Sequence, residues 1–392
     1  MIFEQKTLGQ LSKNGRGYYG IGASAVPYSD ELFTYLRITD IRDDGTLNRA
    51  DLKSVADSEA SKYLLAPNDI VFARTGASTG RNYFYDGRDG IFVYAGFLIK
   101  FSIDDRQVNP RYIKHYCRSK NYWDWIAAYN TGSTRGNINA QTLASMPIIL
   151  PPREYQDRAV SILDSLDDKI ELNNRINDNL LEQLFSLYQN ACTVVIKNVT
   201  LGSLCSFQEG YVNPAQTHPE YFDGDIKWLR AVDINESFII ETSRTLTYAG
   251  FQSAKKSAYL FPPNTIAISK SGTIGRLGIV ADYMCGNRAV INIKPNDQAL
   301  LPFIYAYLKS KQREFPELAV GSVQKNLYVS LLEPLFVSIP DTNTLTQFCN
   351  TGNALLNLMK NNCEENIRLA SIRDVLLPRL MSGKLDVSEV EL

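Results

Sequence analysis

Two distant stretches of this chain are written to one pattern. TGSTRGNINAQTLASMPIILPP ends at position 152, and VGSVQKNLYVSLLEPLFVSIP begins at 320; each has Gly-Ser, polar and basic residues, a leucine, then an apolar strand closed by proline. The likeness extends along most of the sequence. Residues 7–41, from TLGQLSKNGRGYYG to YLRITDI, align with 200–234, from TLGSLCSFQEGYVN to WLRAVDI, at a constant offset of 193. Leu36, Arg37, Asp40 and Ile41 thereby fall on Leu229, Arg230, Asp233 and Ile234. APNDIVFARTGASTGR, ending at Arg81, matches PPNTIAISKSGTIGR, ending at Arg276, with the offset drifting from 196 to 195 as loops change length. From Gly132 and Gly321 onward the offset stays at 189. A chain of 392 residues exceeds one ordinary core, and this self-similarity predicts two copies of one structural unit.

The last segment of each copy reads as a long helix. Leu163, Leu166, Ile170, Asn173, Asn177, Leu180, Leu184 and Leu187 recur at spacings of three and four, the mark of a helical seam. Adding 189 gives Gly352, Leu355, Met359, Asn362, Asn366, Leu369, Arg373 and Leu376, so both seam asparagines are reproduced. An asparagine in an apolar seam costs stability unless another polar group meets it, and paired asparagines fix register. The expectation is an antiparallel two-helix seam, each rod about 60 Å long at 1.5 Å per residue, with the second helix kinking or stopping at Pro378. The globular segments read as mixed structure. DIVFA, TIAIS, IFVYAGFLIKF and RAVINIK are strand-like, while NPRYIKHYCRSKNYWDWIAAY and LPFIYAYLKSKQREF look helical. The fold class is therefore α+β, two similar mixed domains separated by a pair of long antiparallel helices with pseudo-two-fold symmetry. The expected boundaries are 1–150, 151–192, 193–340 and 341–392.

Composition excludes several classes. The sequence is 44% apolar and 21% charged, as in folded chains. No apolar run nears the ~18 residues of a membrane span, and MIFEQKTLGQ lacks a signal-peptide pattern, so the cytoplasm is the expected compartment. Six cysteines, at 117, 192, 205, 285, 349 and 363, form no C-x-x-C and read as reduced, buried thiols. With only His115 and His218, no histidine-based metal site is expected. The net charge of −1 argues against a general basic coat, though not against a local basic cleft.

The candidate chemistry is recognition. ARTGASTGRN and SKSGTIGRLG lack the G-x-x-x-x-G-K-[ST] spacing of a nucleotide loop. They are either hairpin turns or anion-contacting loops in which Arg74, Thr75, Ser78, Thr79 and Arg81, or Lys270, Ser271, Thr273 and Arg276, donate to phosphates and base edges. A second pair of loops offers Ser133, Thr134, Arg135 and Asn137, against Ser322, Gln324, Lys325 and Asn326; arginine suits guanine, and glutamine or asparagine suits adenine. Arg37 with Asp40, and Arg230 with Asp233, read as structural ion pairs. Tyr116, Tyr122, Trp123, Trp125 and Tyr129 read as the buried face of a helix rather than a base-stacking platform. No D-P-P-Y or N-P-P-Y string, Walker lysine or His-partnered nucleophile supports catalysis, so an enzyme is not expected.

These residues carry a family likeness. PPREYQ followed by LDDKIELNNRINDNLLEQLFSLY, the repeated loops, and the terminal LLPRLMSGKL resemble the DNA-specificity (S) subunit of Type I restriction-modification systems over essentially the whole chain. The second copy departs, with IPDTNTLTQF where the first has PPREYQ. The resemblance implies a non-catalytic reader of double-stranded DNA with two target-recognition domains, one per half of a bipartite, asymmetric site. It implies helices that set the gap and dock two methyltransferase subunits, which restriction subunits, up to two, can join. This chain would bind no cofactor; S-adenosylmethionine, ATP and Mg would sit on those partners. The alternative is a duplicated protein-interaction scaffold that never touches nucleic acid.

Overall fold

A computed structural model describes residues 3–49, 51–129, 136–322 and 324–387. They divide into two compact units, Met1–Asp168 with Leu369–Leu392, and Lys169–Arg368. The division falls inside two long helices, Arg153–Ala191 and Thr342–Met381.

The first unit is built on two four-stranded sheets. One is antiparallel, in the order Tyr18–Tyr19, Leu98–Ser102, Asp69–Ala73, Asn82–Tyr85. The other runs Ala25–Pro27, Lys53–Val55, Phe33–Leu36, Phe92–Tyr94, the last pair parallel. DIVFA is apolar throughout because both its faces are covered. Ile70 and Phe72 join a core with Tyr112, Tyr122, Ala159 and Leu163, whereas Val71 and Ala73 face Leu36, Phe92 and Tyr94.

The second unit repeats this plan. A five-stranded sheet runs Cys205–Glu209, Val290–Pro295, Thr265–Ser269, Leu277–Val280, Phe238–Ile239. A four-stranded sheet runs Thr245–Leu246, Phe222–Leu229, Met284–Gly286, Leu260–Phe261. Ile266 and Ile268 pack toward the helix Leu301–Ser310 and toward Leu184 and Met359, while Ala267 faces Leu229 and Phe261. The equivalence extends to register. Glu4–Thr7 pairs antiparallel with Pro147–Leu150, and 193 and 189 positions later Lys197–Thr200 pairs with Phe336–Ile339 in the same way.

Two expected elements are subdivided. IFVYAGFLIKF forms two strands, Phe92–Tyr94 and Leu98–Ser102, because a turn closed by the Leu98 amide on the Ala95 carbonyl at 2.8 Å moves the chain from one sheet to the other. NPRYIKHYCRSKNYWDWIAAY forms Pro110–Tyr116 and Lys120–Tyr129, broken near Ser119, whose hydroxyl donates to the Tyr116 carbonyl at 2.7 Å. The second long helix does not end at Pro378 but continues to Met381. Leu377, Leu380 and Met381 are buried in the core of the first unit, and this packing holds the last turn despite the missing amide donor.

Within the second unit the long helices run antiparallel. Asn173 Nδ2 donates to Asn366 Oδ1 at 2.9 Å and to Glu365 Oε2 at 2.7 Å, and Asn362 Nδ2 donates to Asn177 Oδ1 at 2.8 Å. Leu180, Leu184 and Met359 are buried beside them, and a Cβ on Gly352 would stand 2.6 Å from Pro302, so only glycine permits that approach. In the first unit Leu163 is fully buried and Arg373 Nη1 donates to Asp167 Oδ1 at 3.0 Å. Leu166, Ile170, Leu355, Leu369 and Leu376 are half-buried. Leu187 is exposed, and its neighbour Tyr188 is buried instead, as are Leu356 and Leu377. A strict seven-residue spacing drifts by about 20° per heptad on a 3.6-residue helix, which moves the buried stripe by one position.

Asn177→Leu alone should leave the half-buried Asn362 amide without its partner and lower stability by about 1–3 kcal/mol. Adding Asn362→Leu should recover part of that loss. Urea unfolding of the two single variants and the double variant checks this; strictly additive losses would show that the amide pair contributes no coupling.

Candidate nucleic-acid interface

Both Gly-rich segments are loops between antiparallel strands, Asp69–Ala73 to Asn82–Tyr85 and Thr265–Ser269 to Leu277–Val280. Gly80 and Gly275 adopt φ of 91° and 90°, which favours glycine. A Cβ on Gly80 would also lie 2.7 Å from Ile126, so the loop closes directly on the helix beneath it.

In each unit this loop is joined to the loop that precedes the closing strand. Ile138 N–H donates to the Arg74 carbonyl at 2.9 Å, and Leu327 N–H donates to the Lys270 carbonyl at 2.9 Å. These two bonds are equivalent under the repeat. In the first unit Thr75 bridges Asn137, and the Gly76 amide donates to the Gly136 carbonyl at 3.1 Å. The two loop families proposed from sequence therefore form one surface in each unit.

The side chains on that surface differ. Arg74 Nη2 donates to Asn137 Oδ1 at 3.4 Å, and its guanidinium lies 5.0 Å from the Tyr19 ring. Lys270 Nζ lies 5.0 Å from the Tyr328 ring and 3.1 Å from Glu209 Oε2. Asn137, Thr273, Ser322, Gln324 and Lys325 are exposed, and Thr75, Ser78, Ser271, Arg276 and Asn326 are half-buried. Two candidates are already engaged by neighbouring groups of the unit. Thr79 is buried, with its hydroxyl donating to the Gly76 and Gly136 carbonyls at 2.7 and 3.2 Å, and Arg81 is bound to Asp43 at 2.6 Å and to the Ile41 carbonyl. Both shape the loop. Ser133, Thr134 and Arg135 lie outside the described residues.

Sequence reasoning missed Tyr19, Tyr328 and Glu209. Tyr19 and Glu209 reach the surface through strand pairing, opposite Ile99 and Ile291 respectively. No local pattern reveals such a partnership. Arg37 and Asp40 pair as expected, with Nη2 at 2.6 Å from Oδ1 and the Arg37 amide donating to Oδ2 at 2.8 Å; the Arg230 amide donates to Asp233 likewise at 2.9 Å. Tyr116 and Tyr122 are buried, Trp123 and Trp125 pack on the same core, and Tyr129 is exposed, its ring tilted 53° to that of Trp125 at 4.6 Å.

One cluster has metal-ligand composition. His115, Asp164 and Asp167 bring ligand atoms within 4.8 Å of one another. Four cations already serve the two carboxylates: Arg111 and Lys114 reach Asp164 at 2.8 and 3.2 Å, Lys114 and Arg118 reach Asp167 at 3.1 and 2.6 Å, and Arg373 reaches Asp167 at 3.0 Å. Their charge opposes a metal ion, so this is an ion network fastening the helix Pro110–Tyr116 to the first long helix. Burial, reinforced by Lys114 and Arg118, pushes the His115 pKa down to about 4, against the hydrogen bond that its Nε2–H donates to Asp164 Oδ1 at 2.9 Å. Burial alone would raise the Asp164 and Asp167 carboxyls, but His115 and the surrounding cations hold both well below the usual range.

A family model described as "Type I restriction modification DNA specificity domain" matches residues 30–182 and 194–360. The chain is 21% identical to the Type I restriction enzyme HindI specificity subunit of Haemophilus influenzae, over 98% of this chain and 99% of that one. It is 23% identical to the MjaIX specificity subunit of Methanocaldococcus jannaschii, over 72% and 71% of the two chains. Among solved structures, the S subunit of a Type I restriction-modification system from M. genitalium covers 97% of the chain at a TM-score of 0.51 and 17% identity, a likeness of fold.

The ion network generates a pH dependence. The folded-state pKa of His115 lies below its unfolded value of about 6.5, so the unfolded chain binds the extra proton first as pH falls. The stability tied to neutral His115 is thus present above about pH 6.5 and lost progressively toward about pH 4, up to about 3 kcal/mol at 1.36 kcal/mol per unit. Below that window, protonation of Asp164 and Asp167 should continue the loss. His115→Gln should flatten the slope between pH 6.5 and 4.5 in urea unfolding of the first unit; an unchanged slope would remove His115 as its origin.

Proposed function

Because the chain belongs to the family of Type I restriction-modification DNA specificity subunits, we propose that each of its two units reads one half of a bipartite duplex site. As a specificity subunit it recognises DNA and is not itself an enzyme. One arrangement chiefly supports the division of labour: the equivalent bonds from Ile138 to Arg74 and from Leu327 to Lys270 bring the same two loops together in both units. Each surface combines a cation, an amide side chain and an aromatic ring, the groups that contact phosphates, base edges and base faces. Their identities differ, Arg74 with Asn137 against Lys270 with Gln324 and Lys325, so the two half-sites differ.

The long helices, of 39 and 40 residues, set the gap between half-sites and dock two adenine-methyltransferase subunits, which up to two restriction subunits join. S-adenosylmethionine, ATP and Mg belong to those partners, and this chain binds none of them. The complex acts in the cytoplasm, in keeping with the absence, among the described residues, of any helix long and apolar enough to cross a membrane.

Half-site assignment is testable in a complex reconstituted with the methyltransferase subunits. Arg74→Ala should relax discrimination in one half of the recognised sequence, and Lys270→Ala in the other, each by about 1–3 kcal/mol or roughly tenfold in methylation of mismatched duplexes. Equal loss in both halves from either variant would contradict one unit per half-site.

A further inference from the structure

The first unit carries a cavity of about 550 Å³ beside the ends of the strands Phe33–Leu36 and Phe92–Tyr94, away from the loops of Arg74 and Asn137. Its wall is apolar and open to solvent: Ile91 is 63% exposed, Tyr28 53%, Leu32 39% and Phe33 36%. Its charge is acidic. Asp30, Glu31, Asp57 and Asp89 line it, and the lining cation, Arg49, is paired with Asp89. Among the described residues no lysine or arginine pairs with Asp30, Glu31 or Asp57; the nearby Lys53 is bound to Asp51. Duplex DNA carries the same sign of charge and is an unsuitable occupant.

The two copies differ beside this cavity. Phe33 pairs with Val55 in the first unit as Ile226 pairs with Leu246 in the second. The matched left-handed residues, Asn68 and Asn264, follow Val55 and Leu246 by 13 and 18 positions, so the second unit has five extra residues here. They build the short helix Tyr248–Gln252, which buries Phe251 among Phe222, Trp228 and Leu246, with Ile226 packed against the group. Lys255 and Lys256 follow after two intervening residues. In the first unit Tyr35 and Val55, the counterparts of Trp228 and Leu246, are covered by Ala60 and Tyr63 instead, and Phe33, the counterpart of the half-buried Ile226, stays at the exposed edge.

We propose that this cavity is a docking site for a partner protein, taking a segment with an aromatic or large aliphatic side chain followed by lysine or arginine. The exposed apolar wall of Tyr28, Leu32, Phe33 and Ile91 receives the large side chain, and the carboxylates of Asp30, Glu31 and Asp57 receive the cations.

The probe is a fluorescein-labelled peptide of residues 248–256, YAGFQSAKK, titrated into the full-length chain. Saturable binding that weakens at least tenfold on Glu31→Lys, on Ile91→Asp, or on replacing the peptide's phenylalanine with alanine is expected. Both protein variants alter exposed side chains, and unchanged thermal melting confirms that they fold. A photo-crosslinker in place of Ile91, in the complex reconstituted with methyltransferase subunits and DNA, should attach to a basic, aromatic-containing segment of a protein subunit. Crosslinking only to DNA, only to a second copy of this chain, or to nothing would overturn the proposal, as would peptide binding indifferent to these substitutions. DNA discrimination by Glu31→Lys and Ile91→Asp should match the unaltered chain, which separates failure here from failure of half-site reading.

Discussion

Each unit is closed by one short ribbon. Glu4–Thr7 against Pro147–Leu150, and Lys197–Thr200 against Phe336–Ile339, bring the beginning and end of each globular segment together just before a long helix starts. The entropy of closing a loop grows only logarithmically with its length, so the enclosed segment can gain or lose residues with little effect on closure. The five-residue difference before Asn68 and Asn264 is such a change. A closure insensitive to what it encloses lets one plan carry two different loop surfaces.

Much of this was legible in the sequence because the repeat reports topology independently of any single propensity. Offsets of 193 and 189, read from residue matches, reappear as the ribbon's pairing register. The asparagines of the helical stripe were visible at positions 173, 177, 362 and 366, and hydrogen bonds join them across the helices. Individual leucines were less legible. The spacing picks Leu187, Leu355 and Leu376, whereas Tyr188, Leu356 and Leu377 are buried, because helix period and contact with the globular cores move the stripe together. At the candidate interface, Arg74 and Lys270 were legible as cations beside glycines. Their company of Tyr19, Tyr328 and Glu209 depends on strand pairing and loop closure, which no local window contains.

The two surfaces share a backbone and differ in chemistry. Arg74 offers a planar guanidinium beside the Asn137 amide, suited to bidentate contact. Lys270 offers a point charge already paired with Glu209, so a partner meets a donor and an acceptor side by side. A shared frame with different side chains is how a repeated sequence presents two chemically unlike surfaces.

The near-zero net charge conceals this division. The chain has 41 basic and 42 acidic residues, but Arg111, Lys114, Arg118 and Arg373 are held against Asp164 and Asp167 inside the first unit. Removing buried charges from water offsets most of what their attraction returns, so a network of this kind contributes little net stability compared with an apolar contact of equal size. It contributes direction. The carboxylates lie one helical turn apart on the first long helix, and the cations approach from the helix Pro110–Tyr116, from Arg118 just beyond it and from the second long helix, so other orientations would leave charges unpaired. An apolar patch would tolerate sliding and rotation; two carboxylates held by cations from three directions do not. That intolerance fixes how the helix Pro110–Tyr116 lies against the first long helix.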